Sequence, residues 1–229
     1  MGTEEVLQEL RSMADPRKVE GMARFGINPK NTLGIGIPAL RAMAKKLGRD
    51  HALAQGLWSS GIHEARLLAG FVDEPDMVTE VQMETWAADF DSWDVVDQVC
   101  SNLFDKTDHA YRKAKEWAVR PEEFVKRAGF VLVASLSVHD KKAHDREFEK
   151  FLPLIMKGAT DERNFVKKAV NWALRQIGKR SLALNAASVR LAKEIRKMDS
   201  SSARWIASDA LRELTSEKVR NRLTAKHRG

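Results

Sequence analysis

At 229 residues, 43% hydrophobic and 31% charged, the chain has the make-up of a folded protein with one sizeable core. Lys and Arg number 39 against 32 Asp and Glu, a net +7 with a pI of about 9.5, which favours a polyanionic partner, nucleic acid before membrane. The lone Cys100 excludes an internal disulfide and a thiolate zinc site, and no apolar run reaches membrane-spanning length.

In chain order, residues 3–14 read as a helix with Val6, Leu7, Leu10 and Met13 on one side. Asp15-Pro16 opens a second helix, running to about Phe25, in the N-cap and N1 arrangement. Gly26 to Gly36 is the one long irregular stretch, and Pro38 then starts a helix through Leu47 that carries Arg41. Only helical patterns follow, over about 51–59, 62–72, 76–90, 93–104, 108–118, 121–138, 145–158, 161–179, 182–198, 202–214 and 216–226. Pro121 is read at a helix start, and residues 226–229 as a loose basic tail.

Comparable segments recur at His63, Trp93, Phe124, Phe165 and Ala203, and 123–128 (Glu-Phe-Val-Lys-Arg-Ala) is close to 164–169 (Asn-Phe-Val-Lys-Lys-Ala). Spacings of about 30 to 40 residues predict an all-α solenoid of stacked HEAT-like or armadillo-like helix pairs, a single repeat domain over 1–229. No composition shift marks a domain boundary. Without signal-peptide character in Met-Gly-Thr-Glu-Glu, the expected compartment is the cytoplasm, or the nucleus if the source has one; a monomer with no membrane partner is expected.

The stretch 91–97, Asp-Ser-Trp-Asp-Val-Val-Asp, holds the strongest chemical signal. Ser92 is placed to cap a helix through its hydroxyl, and that helix buries Val96, Cys100, Leu103 and Phe104. Trp93 and Asp97, four apart, project from one side at the edge of the apolar row, where a carboxylate loses solvation. Asp97 there either pairs with an Arg of a neighbouring helix or, beside an aromatic wall, suits a cationic or cation-developing substrate.

A second stripe, Lys168, Trp172, Arg175 and Lys179, follows i, i+4, i+7, i+11. It is either a solvated basic face with a packing Trp or a surface for a nucleic-acid backbone. Arg127 fits equally as the partner of Asp97 or as a phosphate clamp. His63, Glu64, His109, His139 and His144 lack metal-ligand spacing, so no metal or cofactor is expected. Gly34-Ile-Gly36 lacks the rest of a phosphate-binding loop.

Met22-Ala-Arg-Phe25, Leu33-Gly-Ile35 with Pro38 and Arg41, the 92–97 stretch, Arg127-Ala128 and the 168–175 stretch occur in the order seen in bacterial AlkD-type DNA alkylation repair glycosylases, which this chain resembles from about residue 15 to 180. The resemblance implies a right-handed superhelix of HEAT-like repeats. It also implies base excision repair by hydrolysis of the N-glycosidic bond of N3- and N7-alkylated purines in duplex DNA, hence association with the nucleoid. In it, Trp93 and Trp172 would flank the lesion's deoxyribose and Asp97 would be the catalytic carboxylate. Arg127 would hold a DNA phosphate, while Phe25, Arg41, Lys168, Arg175 and Lys179 would contact DNA. The family often has Tyr at the position of Phe25, which keeps the ring and loses the hydroxyl. The alternative is a HEAT-like scaffold that binds nucleic acid or protein without chemistry.

Overall fold

A computed structural model describes residues 1–228, the last three by their backbone alone, so the basic tail read at 226–229 lies outside the described side chains. The chain parts into two compact units, one ending at His109 and the other starting at Ala110, inside what reads as one more short polar connection.

The first unit contains α1 (Thr3–Ser12), α2 (Pro16–Arg24), α3 (Ile37–Leu47), α4 (His51–Ser59), α5 (His63–Val72), α6 (Glu80–Ala88) and α7 (Trp93–Asn102). The second contains α8 (Ala110–Trp117), α9 (Glu123–His139), α10 (Asp145–Glu149), α11 (Leu152–Gly158), α12 (Asn164–Gly178), α13 (Leu182–Ile195), α14 (Ser201–Leu214) and α15 (Glu217–Arg228). There is no strand among the described residues, and no helix is long and apolar enough to cross a membrane.

In the first unit α4 pairs with α5, and α5 packs on both α3 and α7. In the second, α8 pairs with α9, while α12 packs on α9 and α14. Within each unit, one helix of a pair therefore lies against its counterpart in the next, which is how helical repeats bury their apolar faces. The recurring segments mark those counterparts: His63, Trp93, Phe124, Phe165 and Ala203 all fall in the first turn of α5, α7, α9, α12 and α14. The repeated phrase has a direct packing consequence, since Phe124 and Phe165 stack at 5.6 Å. Gly129 lets α9 cross closely, because a Cβ there would meet the backbone nitrogen of Ala118 at 2.3 Å.

The first unit's core centres on Trp58 and Trp86, stacked at 4.0 Å and nearly parallel. Such a ring pair contributes about 1 kcal/mol beyond its area burial.

Three sequence expectations need correction. The helix expected over 145–158 is two helices, because Pro153 lacks an N–H and its ring would clash with the carbonyl four residues back; the break falls at Lys150-Phe151. The helix expected from 76 begins at Glu80, after a short 3-10 turn over Pro75–Met77, where the Thr79 hydroxyl accepts from the Gln82 N–H. Pro121 precedes α9 by two residues, and its carbonyl accepts from Arg163 at 2.7 Å.

Candidate functional site

Of the six tryptophans, Trp58, Trp86 and Trp117 are core, whereas Trp93 and Trp172 are half-buried. Exposure thus separates the two singled-out residues from the packing ones.

Trp93 opens α7, and Val96, Cys100, Leu103 and Phe104 are fully buried as the periodicity requires. Ser92 occupies the N-cap position with extended backbone, but its hydroxyl caps no N–H of α7. Instead Ser92 Oγ accepts from the backbone N–H of Asn28 at 2.8 Å, while Asp91 accepts from the Asn28 amide at 2.7 Å. Trp93 donates its indole N–H to the carbonyl of Phe25 at 3.0 Å. The irregular stretch after α2 is thus stitched to the start of α7, and the indole plane is set by a backbone group. That bond is indifferent to the missing hydroxyl at position 25. The Phe25 ring itself is 75% exposed and rims an apolar cavity of about 640 Å³ with Met22, Ile27, Ile35, Leu67 and Trp93. Asp97, one turn along α7 from Trp93, is half-buried.

The stretch over residues 26–36 is held from below by Glu64, a residue that sequence reasoning considered only as a metal ligand. Its fully buried carboxylate accepts from the backbone N–H groups of Leu33 (2.8 Å), Gly34 (2.7 Å) and Ile35 (3.1 Å). The glycine-rich turn that lacked a phosphate-loop signature does bind an anion, namely the protein's own carboxylate. Gly34 has φ +86°, and a Cβ on it would lie 2.3 Å from the Asp15 carbonyl oxygen, so only glycine fits. A signal was present: Glu64 lies in the same helical row as Leu67, Leu68 and Phe71, and an acid in an apolar row requires donors.

His63, also set aside as a metal ligand, is buried and its Nε2 lies 2.9 Å from Asp94 Oδ2. Burial pulls its pKa down, but the hydrogen bond and charge of Asp94, helped by Glu64 and Asp91, overcome this and leave it raised. A raised folded-state pKa stabilises fully below the unfolded value of about 6.5 and loses that stabilisation as pH climbs through the folded value. Thermal stability of the wild type should therefore decline as pH rises from about 6.5, and His63→Gln should flatten that limb. A variant that keeps the same decline would place its origin elsewhere.

In the second unit, Lys168, Trp172 and Arg175 lie on α12 and Lys179 is its C-cap. Lys168 is exposed. Trp172 donates to no acceptor among the described residues, which leaves its N–H for a ligand. Arg175 and Lys179 are already engaged by α14: Arg175 lies 3.0 Å from Glu213 and 3.5 Å from Asp209, and Lys179 lies 2.8 Å from Glu213. Much of the stripe's charge is thereby neutralised internally. Arg127 is buried and donates to the Phe165 carbonyl at 2.6 Å. Arg41, on α3, reaches the C-terminal half of α7, away from Trp93, with its guanidinium on Gln98 (2.9 Å) and Asn102 (3.3 Å) and over the Phe71 ring at 4.6 Å.

The fold recurs among solved structures. A solved structure described as "a new family of proteins related to the HEAT-like repeat DNA glycosylases with affinity for branched DNA structures" superposes with a TM-score of 0.80 at 20% identity, covering 97% of this chain and 96% of that one. An engineered protein (TM-score 0.42, 13% identity, 92% and 89% coverage) and a designed armadillo repeat protein in complex with the peptide (KR)4 (0.36, 14%, 82% and 90%) are less alike. No curated protein matches the chain. The profile of the DNA alkylation repair enzymes matches residues 6–215, and with its HEAT-like fold the chain belongs to that family.

Proposed function

We propose that this protein is a DNA glycosylase that hydrolyses the N-glycosidic bond of N3- and N7-alkylated purines in duplex DNA. The observation that carries this reading is Trp93: its indole is fixed by the Phe25 carbonyl, half-exposed, with the Asp97 carboxylate one helical turn away.

The chemistry follows from the substrate. An N3- or N7-alkylated purine is already cationic and leaves without a general acid. As the bond to C1′ stretches, its electron pair goes to the base, which departs neutral, and positive charge builds on the sugar. Asp97 stabilises that charge and orients a water, whose oxygen bonds to C1′ and whose proton passes to the carboxylate or solvent. Trp93 and Trp172, one in each unit, each offer an indole face to deoxyribose and add cation–π attraction, strongest when desolvated. Exposed Lys168 holds a backbone phosphate and Phe25 meets the duplex with its exposed ring; Arg127, Arg175 and Lys179 join once their internal partners are displaced.

The test is release of 7-methylguanine from a duplex oligonucleotide. Free base in stoichiometric excess over protein supports the reading, and a protein that binds the duplex without releasing base leaves the non-catalytic scaffold in its place. That second reading draws on the branched-DNA affinity of the related protein and on the internal pairing of Arg175 and Lys179. A preference for a four-way junction over a lesion-bearing duplex is the result that favours it.

Binding geometry is checked separately by salt. Lys168→Ala should reduce the slope of log affinity against log salt by about 0.9, the loss of one neutralised phosphate. Arg175→Ala should change it less, because its guanidinium already serves Glu213 and Asp209. An unchanged slope for Lys168→Ala would put the DNA on another surface.

A further inference from the structure

A second cavity in the first unit, about 320 Å³, lies at the C-terminal ends of α3, α5 and α7, lined by Arg41, Lys45, Arg49, Phe71, Asn102 and Lys106. We propose that it is a phosphate-binding site, distinct from the Trp93 site. Along α7, Trp93 and Asn102 are nine residues apart, which at 1.5 Å per residue puts them roughly 14 Å apart.

Four cations converge on this cavity with little to neutralise them. No carboxylate of the described residues pairs with Arg41, Lys45 or Arg49, and the only acid near Lys106 is buried Asp105, at 3.9 Å. Arg41 is preorganised: Gln98 and Asn102 accept from its outer nitrogens and Phe71 lies beneath it, so neutral partners fix the fork without cancelling its charge. Arg49 is likewise tethered by a neutral group, the Asp73 carbonyl. The three helix C-termini each bring about half a negative charge. Four full positive charges still exceed one carboxylate and three such half-charges, so the field in the cavity is positive. Burial, then the charges of Arg49 and Arg41 acting against Asp105, hold the pKa of Lys106 below its ordinary value, as expected where like charges crowd. A phosphate oxygen cluster relieves that crowding, and the forked Arg41 with the point charges of Lys45 and Lys106 matches it in shape.

The phosphate comes either from a DNA backbone or from a terminal or free phosphate group, and three measurements on the full chain separate these. In the first, inorganic phosphate is titrated against chloride at matched ionic strength. The wild type should gain about 4 °C in Tm at ten times the dissociation constant, and Lys45→Gln with Lys106→Gln should abolish the gain. Lys45 is exposed and unpaired, so the single Lys45→Gln variant, which should weaken the response, and Lys45→Arg, which should retain it, keep the test independent of any folding cost. In the second, a 5′-phosphorylated oligonucleotide is compared with its 5′-hydroxyl form. At least tenfold tighter binding, lost in the double variant, assigns a terminal phosphate. In the third, a slope for undamaged duplex that is lower by about 0.9 in the double variant assigns a backbone phosphate. A phosphate response without either DNA effect assigns a small phosphate ligand. Equal behaviour of wild type and double variant in all three measurements overturns the site. Because the first needs neither DNA nor base release, its failure is distinct from failure of the glycosylase reading.

Discussion

Asp97→Asn should slow release of 7-methylguanine about a hundredfold, on the order of 3 kcal/mol in the barrier, while duplex binding stays the same or tightens. The substitution keeps the shape of the side chain and removes the charge that, in the proposed mechanism, matters only as the glycosidic bond breaks. Ground-state binding gains, if anything, from losing a negative group near phosphates. Trp93 supplies the control. Its indole N–H is held by the Phe25 carbonyl, an anchor that the change leaves in place. The helix survives as well, because α7 is anchored by Val95, Val96, Val99 and Cys100, all essentially buried. Single-turnover excision with saturating enzyme reads the chemical step directly, with circular dichroism as the check on folding. Wild-type excision by a folded Asp97→Asn protein would make the carboxylate structural and favour the scaffold reading.

The parts of this protein legible in the sequence are those encoded by local spacing. Apolar rows at helical period located the helices, and the near-repeat of 123–128 at 164–169 located the first turns of α9 and α12. Asp15-Pro16 read correctly as a cap followed by N1, and Asp15 accepts from the Arg17 N–H. What was not legible depends on contacts between distant segments. The partners of Arg175 and Lys179 lie 38 and 34 residues downstream on α14, one repeat away, so a basic stripe on α12 could not announce that it was partly neutralised. The Ser92 hydroxyl had a local role available and took a distant one, 64 residues away at Asn28, because the 26–36 stretch passes over the start of α7. Pro153 was a local signal outweighed by an apolar pattern that runs through it.

Glu64→Gln should lower stability by about 3 kcal/mol, or roughly 6–12 °C in Tm, and should reduce base release as well. The two carboxylate oxygens serve three donors: Oε2 takes Leu33 N–H, and Oε1 takes those of Gly34 and Ile35. A glutamine offers one oxygen, and its amide nitrogen, itself a donor, would face a backbone N–H in a site with no exposure. At least one buried donor is then orphaned, and the remaining bonds lose a charged acceptor. The damage should spread along the chain in a definite order. Residues 33–35 loosen first, then the preceding segment whose Asn28 N–H reaches Ser92 and whose Phe25 carbonyl holds Trp93. Hydrogen exchange should therefore accelerate at the amides of 33–35 and at Asn28, with the α9–α12 pair of the second unit unchanged. Excision should fall because Trp93 loses its fixed orientation, while duplex binding should persist if Lys168, on the other unit, meets a phosphate as proposed. An unaltered Tm with unaltered exchange at 33–35 would show that the buried carboxylate holds nothing, and would separate Trp93's orientation from the stretch beneath it.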